Sequence, residues 1–476
     1  MSEAAINPAQ LPPSWALTTL GIVVSYGSTT KAEPTEMADS DWVLELEDVE
    51  KDSSRLLQKM TFLQRQSKST KNRFQPGDVL YGKLRPYLNK VLIADEPGYC
   101  TTEILPLKAG AHLDNRYLFY WLKHPAFLKY VEAESHGMNM PRLGTDAGKA
   151  APFVLAPRNE QTRIANQLDT LLTRIQSCND RFDAIPALLK RLRQAVLRAA
   201  ISGDLTLEWR KSKFGVAAAN DFTEVCVGDP YSHVIRAPKL WKESSLGAVC
   251  DFVGGSQPPK STFTYENGDD VVRLIQIRDY KSDRHTTYIP KNLARRFCSK
   301  KDVMIGRYGP PIFQILRGLE GAYNVALMKA VPRTKEIDLE YLYVFLRGDQ
   351  LLKLIEAGSD RTAGQDGVRK ELLTPYPISL PSLPEQVEIV QRVEALLSLA
   401  DRIEARCTAA RAQAQRQTPL VLAKAFRGEL VPQDPNDEPA SALLARIASS
   451  NTAVARKNKR KVPVALKVRA QAAIDL

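Results

Sequence analysis

From Ile164 onward apolar residues recur as Ile164, Leu168, Leu171, Ile175, Cys178, Phe182, Ile185, Leu189, Leu192, Val196 and Ala199. The steps alternate four and three without a fault, which is the seam of helices wound around one another. A second seam runs through Ile389, Val393, Leu396, Ala400, Ile403, Cys407, Ala410, Ala414 and Val421, with Gln417 inside it. Both helices are expected to stop at glycine, Gly203 and Gly428, where a left-handed C-cap is free of Cβ strain. Pro186 and Pro419 lie within them and predict a kink or a two-piece helix, since each removes a backbone donor. Uninterrupted, 160–203 would extend about 65 Å.

Elsewhere the apolar pattern is short and mixed. Short strands are expected around 42–48, 78–81, 91–94, 271–277 and 302–305, with helices from Tyr117 to Glu132 and from Tyr341 to Glu356 behind Asp114 and Asp338 as N-caps. Self-comparison organises these pieces. Glu160-Gln161, Ile164, Leu171-Leu172, Leu197, Ala200, Gly203 and Leu205 return 225 residues later as Glu385-Gln386, Ile389, Leu396-Leu397, Leu422, Ala425, Gly428 and Leu430. Trp15, Leu20 and Gly21 return as Trp241, Leu246 and Gly247; Asp78-Val79 and Gly82-Lys83 return as Asp302-Val303 and Gly306-Arg307. Leu44, Leu46 and Asp48 pair less firmly with Ile275, Ile277 and Asp279, across a local insertion.

The chain is therefore a tandem repeat. It reads as an α+β protein with a pseudo-two-fold plan: two mixed α/β domains, each followed by a long helix, the two helices pairing as an antiparallel coiled coil. The expected boundaries are 1–156 for the first domain, 157–205 for its arm, and 206–237 for a linker. The second domain takes 238–380, its arm 381–431, and a basic, disordered tail 432–476, with a short helix near Ala440 to Ala448. Ordinary bundle helices in one larger core would also carry an apolar stripe, but the length of the seam and the constancy of the shift favour paired arms.

Charge adds a partner class. The formal charge is +12, and Asn451–Leu476 supplies half of it with seven basic residues against one acid. The body is mildly basic, which favours a polyanion, nucleic acid first. Two loops per domain carry candidate contacts. The first holds Lys83, Arg85, Asn89 and Lys90, with Arg307 and Tyr308 in its counterpart; the second holds Arg142, with Arg361 in a looser counterpart. Lysine and arginine beside glycine can meet phosphate or guanine. Tyr87 and Tyr308 read as partly buried packing residues, and any one of these cations could equally be a solvated hairpin residue.

Catalytic signatures are missing. There is no GxxxxGK[ST], no HExxH, no Pro-Asp dipeptide and no amino-methyltransferase motif beyond a weak echo at Asp229-Pro230-Tyr231. The five histidines and six cysteines show no ligand spacing, so neither metal, bound cofactor nor disulfide is expected, and the thiols fit a reducing, cytoplasmic setting. No apolar run reaches 18 residues, so no membrane partner is expected. The N-terminus lacks the pattern of a secretion signal. A coiled-coil scaffold that ignores DNA and an enzyme with unrecognised motifs are the competing readings.

The Trp-x4-Leu-Gly start, the Asp78–Leu88 stretch (DVLYGKLRPYL), Met140–Leu143, Glu-Gln-x2-Ile, and a helix ending Leu-x2-Ala-x2-Gly-(Asp/Glu)-Leu, most of them twice over, resemble the specificity subunit of Type I restriction-modification systems over roughly residues 10–435. Copy two departs from the Lys-Leu-Arg-Pro-Tyr-Leu and Met-Pro-Arg-Leu patterns. The resemblance implies a non-catalytic chain whose two domains are target recognition domains, each reading one half of a split, asymmetric site in double-stranded DNA. It implies that the arms set the spacing and dock two methyltransferase subunits, through Glu160, Gln161, Ile164, Leu168, Leu171 and Gly203 and through Glu385, Gln386, Ile389, Val393, Leu396 and Gly428. A restriction/translocase subunit can join. S-adenosylmethionine, ATP and Mg would be used by those partners.

Overall fold

The computed structural model describes residues 8–137, 139–227, 233–309, 311–359 and 367–449. The chain divides into two compact units: Met1–Arg181 with Ala410–Leu476, and Phe182–Ala409. Each unit holds one globular domain, the start of the arm that leaves it, and the end of the other arm.

In the first unit Ala16–Thr19 pairs antiparallel with Pro152–Leu155, so the strand that begins the domain lies beside the strand that feeds its arm. A four-stranded sheet runs Thr30–Ala32, Lys71–Phe74, Gly98–Cys100, Val43–Leu44, and a three-stranded one Val91–Ile93, Val79–Gly82, Ile104–Leu107. Val79–Gly82 is central and wholly buried, which is why it reads as an unbroken apolar run. In the second unit Lys242–Ser245 pairs with Pro377–Leu380 in the same way. Its sheets run Tyr288–Pro290, Val271–Ile275, Gly321–Tyr323, Phe297–Cys298 and Cys250–Gly254, Leu327–Pro332, Val303–Gly306, Gln314–Leu316.

The uncertain pairing of Leu44, Leu46 and Asp48 with Ile275, Ile277 and Asp279 has a clear geometric basis. Leu44 pairs in parallel with Cys100 and Ile275 with Tyr323. A buried aspartate then caps a 3-10 turn in each: Asp48 accepts from Glu45 N–H (2.7 Å) and Asp279 from Gln276 N–H (2.9 Å).

Asp114 and Asp338 are N-caps, each accepting from the two backbone N–H groups that open its helix. Those helices are shorter than their apolar pattern predicts. Asn115–Leu122 is followed by a separate helix Pro125–Glu134, and Leu339–Leu346 by Asp349–Ser359. Pro125 opens the second helix, where its missing N–H costs least, and the His124 side chain accepts from Ala126 N–H to cap it.

The arms are continuous helices, Arg158–Ile201 and Leu383–Ala425, and run through Pro186 and Pro419. Of the kink or two-piece helix expected, the two-piece break is absent, and each proline costs its helix one backbone bond without ending it. In the first unit Ile164 and Leu168, at the start of arm one, share a core with Leu422, Ala425 and Phe426 at the end of arm two. In the second unit Val196, Leu197 and Ala200, at the end of arm one, share a core with Ile389, Val390 and Val393 at the start of arm two. Start meets end in both, so the arms are antiparallel. Between those ends burial is uneven: Leu189 and Ala400 are buried, whereas Cys178 and Leu192 are exposed.

Two expected connectors are built structure. The linker 206–237 contains helix Leu207–Phe214, a helical turn Val216–Ala219, and a hairpin pairing Phe222–Val227 with His233–Pro238. The tail expected to be disordered from 432 is ordered as far as 449: Ala440 and Leu443 lie in the core of the first unit, and Asp437 pairs with Arg163 at 2.7 Å. Two core side chains and a paired carboxylate fix a segment whose composition alone reads as solvated. The remaining basic residues, from 450 on, and Asp229-Pro230-Tyr231 lie outside the described residues.

Candidate nucleic-acid interface

The repeated Glu-Gln pair is a latch between arm and domain. Trp15 Nε1 donates to Glu160 Oε2 at 2.8 Å, and Trp241 Nε1 to Glu385 Oε2 at 2.9 Å. Gln161 accepts from Asp114 N–H (2.9 Å) and donates to Ala156 O; Gln386 accepts from Asp338 N–H (2.7 Å) and donates to Pro381 O. The glutamine thus satisfies the buried backbone at the helix N-cap, where a missing partner costs about 1–3 kcal/mol. Glu160, Gln161, Ile164, Leu168, Glu385, Gln386, Ile389 and Val393 are all buried. Leu171 and Leu396 are half-buried. The buried eight build the frame of the chain itself. Gly203 and Gly428 are left-handed at φ +79 and +76, and a Cβ there would meet Pro238 and Pro12 at 2.5 and 2.3 Å.

The two candidate loops of the first domain meet. Arg85 N–H donates to Pro141 O at 2.7 Å, Leu143 N–H donates to Lys83 O at 3.1 Å, and Leu84 bridges to Arg142. Arg85 is exposed, and neither its side chain nor that of Lys83 forms an ion pair or hydrogen bond among the described residues. Arg142 is partly committed to Glu103 at 3.1 Å. Lys90 and Asn89 are not free contacts. Lys90 Nζ donates to Leu46 O, and Asn89 is buried, holding the left-handed end of the turn Pro86–Leu88 at φ +50. Tyr87, expected to pack, is 51% exposed at the tip of that turn.

The second domain keeps the scaffold and changes the surface. Val368 N–H donates to Arg307 O, repeating the Leu143–Lys83 bond. The Arg307 guanidinium donates to Val368 O and Val325 O (both 3.3 Å) and lies 5.3 Å from the Tyr308 ring centroid. Arg307 is therefore a loop brace. Tyr308 packs on Gly367, where a Cβ would come within 2.3 Å of the ring. Arg361 lies outside the described residues.

Two residues that complete the latch carried no repeat signal. Gln433 donates to the second oxygen of Glu160 at 2.5 Å; Arg210, fully buried, donates to that of Glu385 at 2.6 Å. Under the 225-residue shift they match Glu208 and Pro435, so self-comparison is blind to them. Lys123 is buried at the junction of two helices, and burial pushes its ammonium down to about 8. Among the described residues no cluster could hold a metal ion, and no helix is long and apolar enough to cross a membrane.

Comparison with known proteins agrees with this architecture. The family model of the Type I restriction modification DNA specificity domain matches residues 238–409. The chain is 30% identical over 408 residues to the Type I restriction enzyme EcoBI specificity subunit of Escherichia coli, covering 79% of this chain and 80% of that one. It is 29% identical over 357 residues to the EcoKI specificity subunit of Escherichia coli (strain K12), covering 71% and 72%. In fold it resembles a chain of a type I R-M system solved for its complex assembly (TM-score 0.63, 20% identity, 88% of this chain and 99% of that one). It also resembles the HsdS subunit from Thermoanaerobacter tengcongensis (TM-score 0.57, 20% identity, 90% and 100%). The fold, with two β-rich domains each followed by a long helix, is thus shared with the solved structures, and the chain belongs to the specificity subunits of Type I restriction enzymes, the non-catalytic component of their complex.

Proposed function

We propose that the two domains read the two halves of a split, asymmetric site in double-stranded DNA. The observation that carries this reading is the pairing of an identical latch with unlike tips. The Trp–Glu and Gln–Asp bonds repeat bond for bond, while the first domain offers Lys83, Arg85 and Tyr87 and the second offers Tyr308 over a self-paired Arg307. A doubled frame with unlike contents meets DNA at two unlike half-sites. Lys83, Arg85 and Arg142 approach phosphate or guanine edges in the first half. Methyltransferase subunits dock on the open stretches of the arms, where Leu188, Leu192, Leu399 and Ile403 are exposed. S-adenosylmethionine, and ATP with Mg for a restriction subunit, act on those partners.

The test is methylation by the chain co-purified with the methyltransferase subunit of its own system, mapped genome-wide by single-molecule sequencing. A two-part motif with a fixed gap is expected. Lys83→Ala with Arg85→Ala should weaken or relax the first part alone. A complex that assembles and methylates without a two-part motif would overturn the reading in favour of a protein scaffold.

A further inference from the structure

Six non-glycine residues among those described have positive φ: Asp52, Ser54, Gln66, Arg85, Asn89 and Phe313. Four of the six sit in two touching loops of the first domain. Arg85 (φ +48) and Asn89 (φ +50) bracket the tip Pro86–Leu88; Asp52 (φ +60) and Ser54 (φ +61) form the loop beside it, and Asp52 N–H donates to Leu88 O at 3.2 Å. Left-handed backbone at a residue with a Cβ is unfavourable and persists only where surroundings over-determine it; such positions gather at functional sites.

The surroundings converge on one side chain. Lys123 Nζ donates to Asp52 O at 2.6 Å and to Ser54 Oγ at 2.5 Å. Its position is only 8% exposed, and its ammonium lies 5.3 Å from the Phe119 ring centroid. Burying a lysine is costly, so the contacts it makes must offset that cost. The repeat supplies a control. Phe119 and Lys123 correspond to Tyr343 and Arg347, and the cation–ring contact recurs there at 5.0 Å. Arg347 is half-exposed and makes no side-chain hydrogen bond to a loop among the described residues. The ring contact belongs to the shared frame; the hold on a strained loop belongs to the first domain alone.

We propose that Lys123 is a positioning residue for target reading: through Asp52 and Ser54 it locks the Arg85–Asn89 tip in the one shape from which Arg85 and Tyr87 meet the first half-site. This rests on the reading of the domains as DNA readers. Lys123 touches no DNA itself.

The experiment measures binding of the full chain, co-purified with its methyltransferase subunit, to its two-part site and to sites altered base by base in either half. Lys123→Met should lower discrimination in the first half by about tenfold, the size of one lost base contact. Discrimination in the second half, non-specific affinity and its salt dependence should stay unchanged. Lys123→Gln, which keeps two N–H donors, should recover most of the loss. Ser54→Gly covers the case in which the lysine variants do not fold. Glycine suits φ +61 and removes the hydroxymethyl group with the Lys123 acceptor it carries, and discrimination in the first half alone should fall about threefold, a share of that base contact. Undiminished first-half discrimination in folded Lys123→Met, or in Ser54→Gly, overturns the proposal. So does an equal loss in both halves, or a folded Lys123→Gln no better than Lys123→Met. A wild-type complex with no two-part preference overturns the underlying reading instead, and is recognised before any variant is made.

Discussion

Glu160 and Glu385 begin the same motif, are equally buried, and accept the same indole N–H, yet their second oxygens meet different company. Glu160 faces the neutral amide of Gln433, and burial raises its carboxyl above the usual range despite the Trp15 and Gln433 bonds. Glu385 faces the fully buried guanidinium of Arg210 and the hydroxyl of Thr206. In each unit the cap comes from chain that continues directly out of the arm ending there, Arg210 after arm one and Gln433 after arm two. One carboxyl meets a guanidinium and the other a neutral amide, and an identical motif therefore carries unequal electrostatic risk.

Removing a charge should separate them most. Arg210→Met leaves Glu385 buried without a counter-charge and should cost about 3–5 kcal/mol, whereas Gln433→Ala removes a neutral donor and should cost about 1 kcal/mol. Chemical denaturation of the two variants checks the gap, and equal costs would show that the two latches are energetically alike.

The carboxamide swap sharpens the contrast. Glu385→Gln strands Arg210 and should lose about 3 kcal/mol. Glu160→Gln keeps an acceptor for Trp15, sheds the burial cost of the charge, and should stay within about 1 kcal/mol of wild type.

A pH series isolates the same term. A carboxyl whose folded value is raised binds its proton more tightly when folded. Stability is then greatest below the ordinary glutamate value of about 4.3 and falls as pH rises towards the raised folded value, beyond which the loss is complete. In a denaturation series from pH 4 upward, wild type should carry this falling component and Glu160→Gln should lack it.

The smallest contrast concerns two matched tyrosines. Tyr117 donates to Val154 O at 2.9 Å, while the Tyr341 hydroxyl is buried with no partner among the described residues. Tyr117→Phe should cost about 1 kcal/mol and Tyr341→Phe nothing, or a slight gain. A thermal melt of each variant resolves a difference of that size.

Much of this was legible beforehand, for identifiable reasons. The arms announce themselves because a seam repeats every seven residues whatever it packs against. Asp114 and Asp338 are readable as caps because an N-cap needs only its own next three residues. Tyr87 was misjudged because exposure depends on what lies over a side chain, and Lys90 and Arg307 because their acceptors, Leu46 O and Val325 O, lie 44 and 18 residues away.

The sequence alone determined the tandem repeat, the two long helices with their glycine ends, the domain caps and the family, since each is a matter of local period or of matching residues. Tertiary structure decided that the Glu-Gln pair is an internal latch, that Arg210 and Gln433 complete it, and that Lys123 holds the strained loop of Asp52 and Ser54. Those facts join residues up to 273 positions apart in the chain. A contact of that span depends on how elements close in space, and neither periodicity nor a repeat shift encodes it.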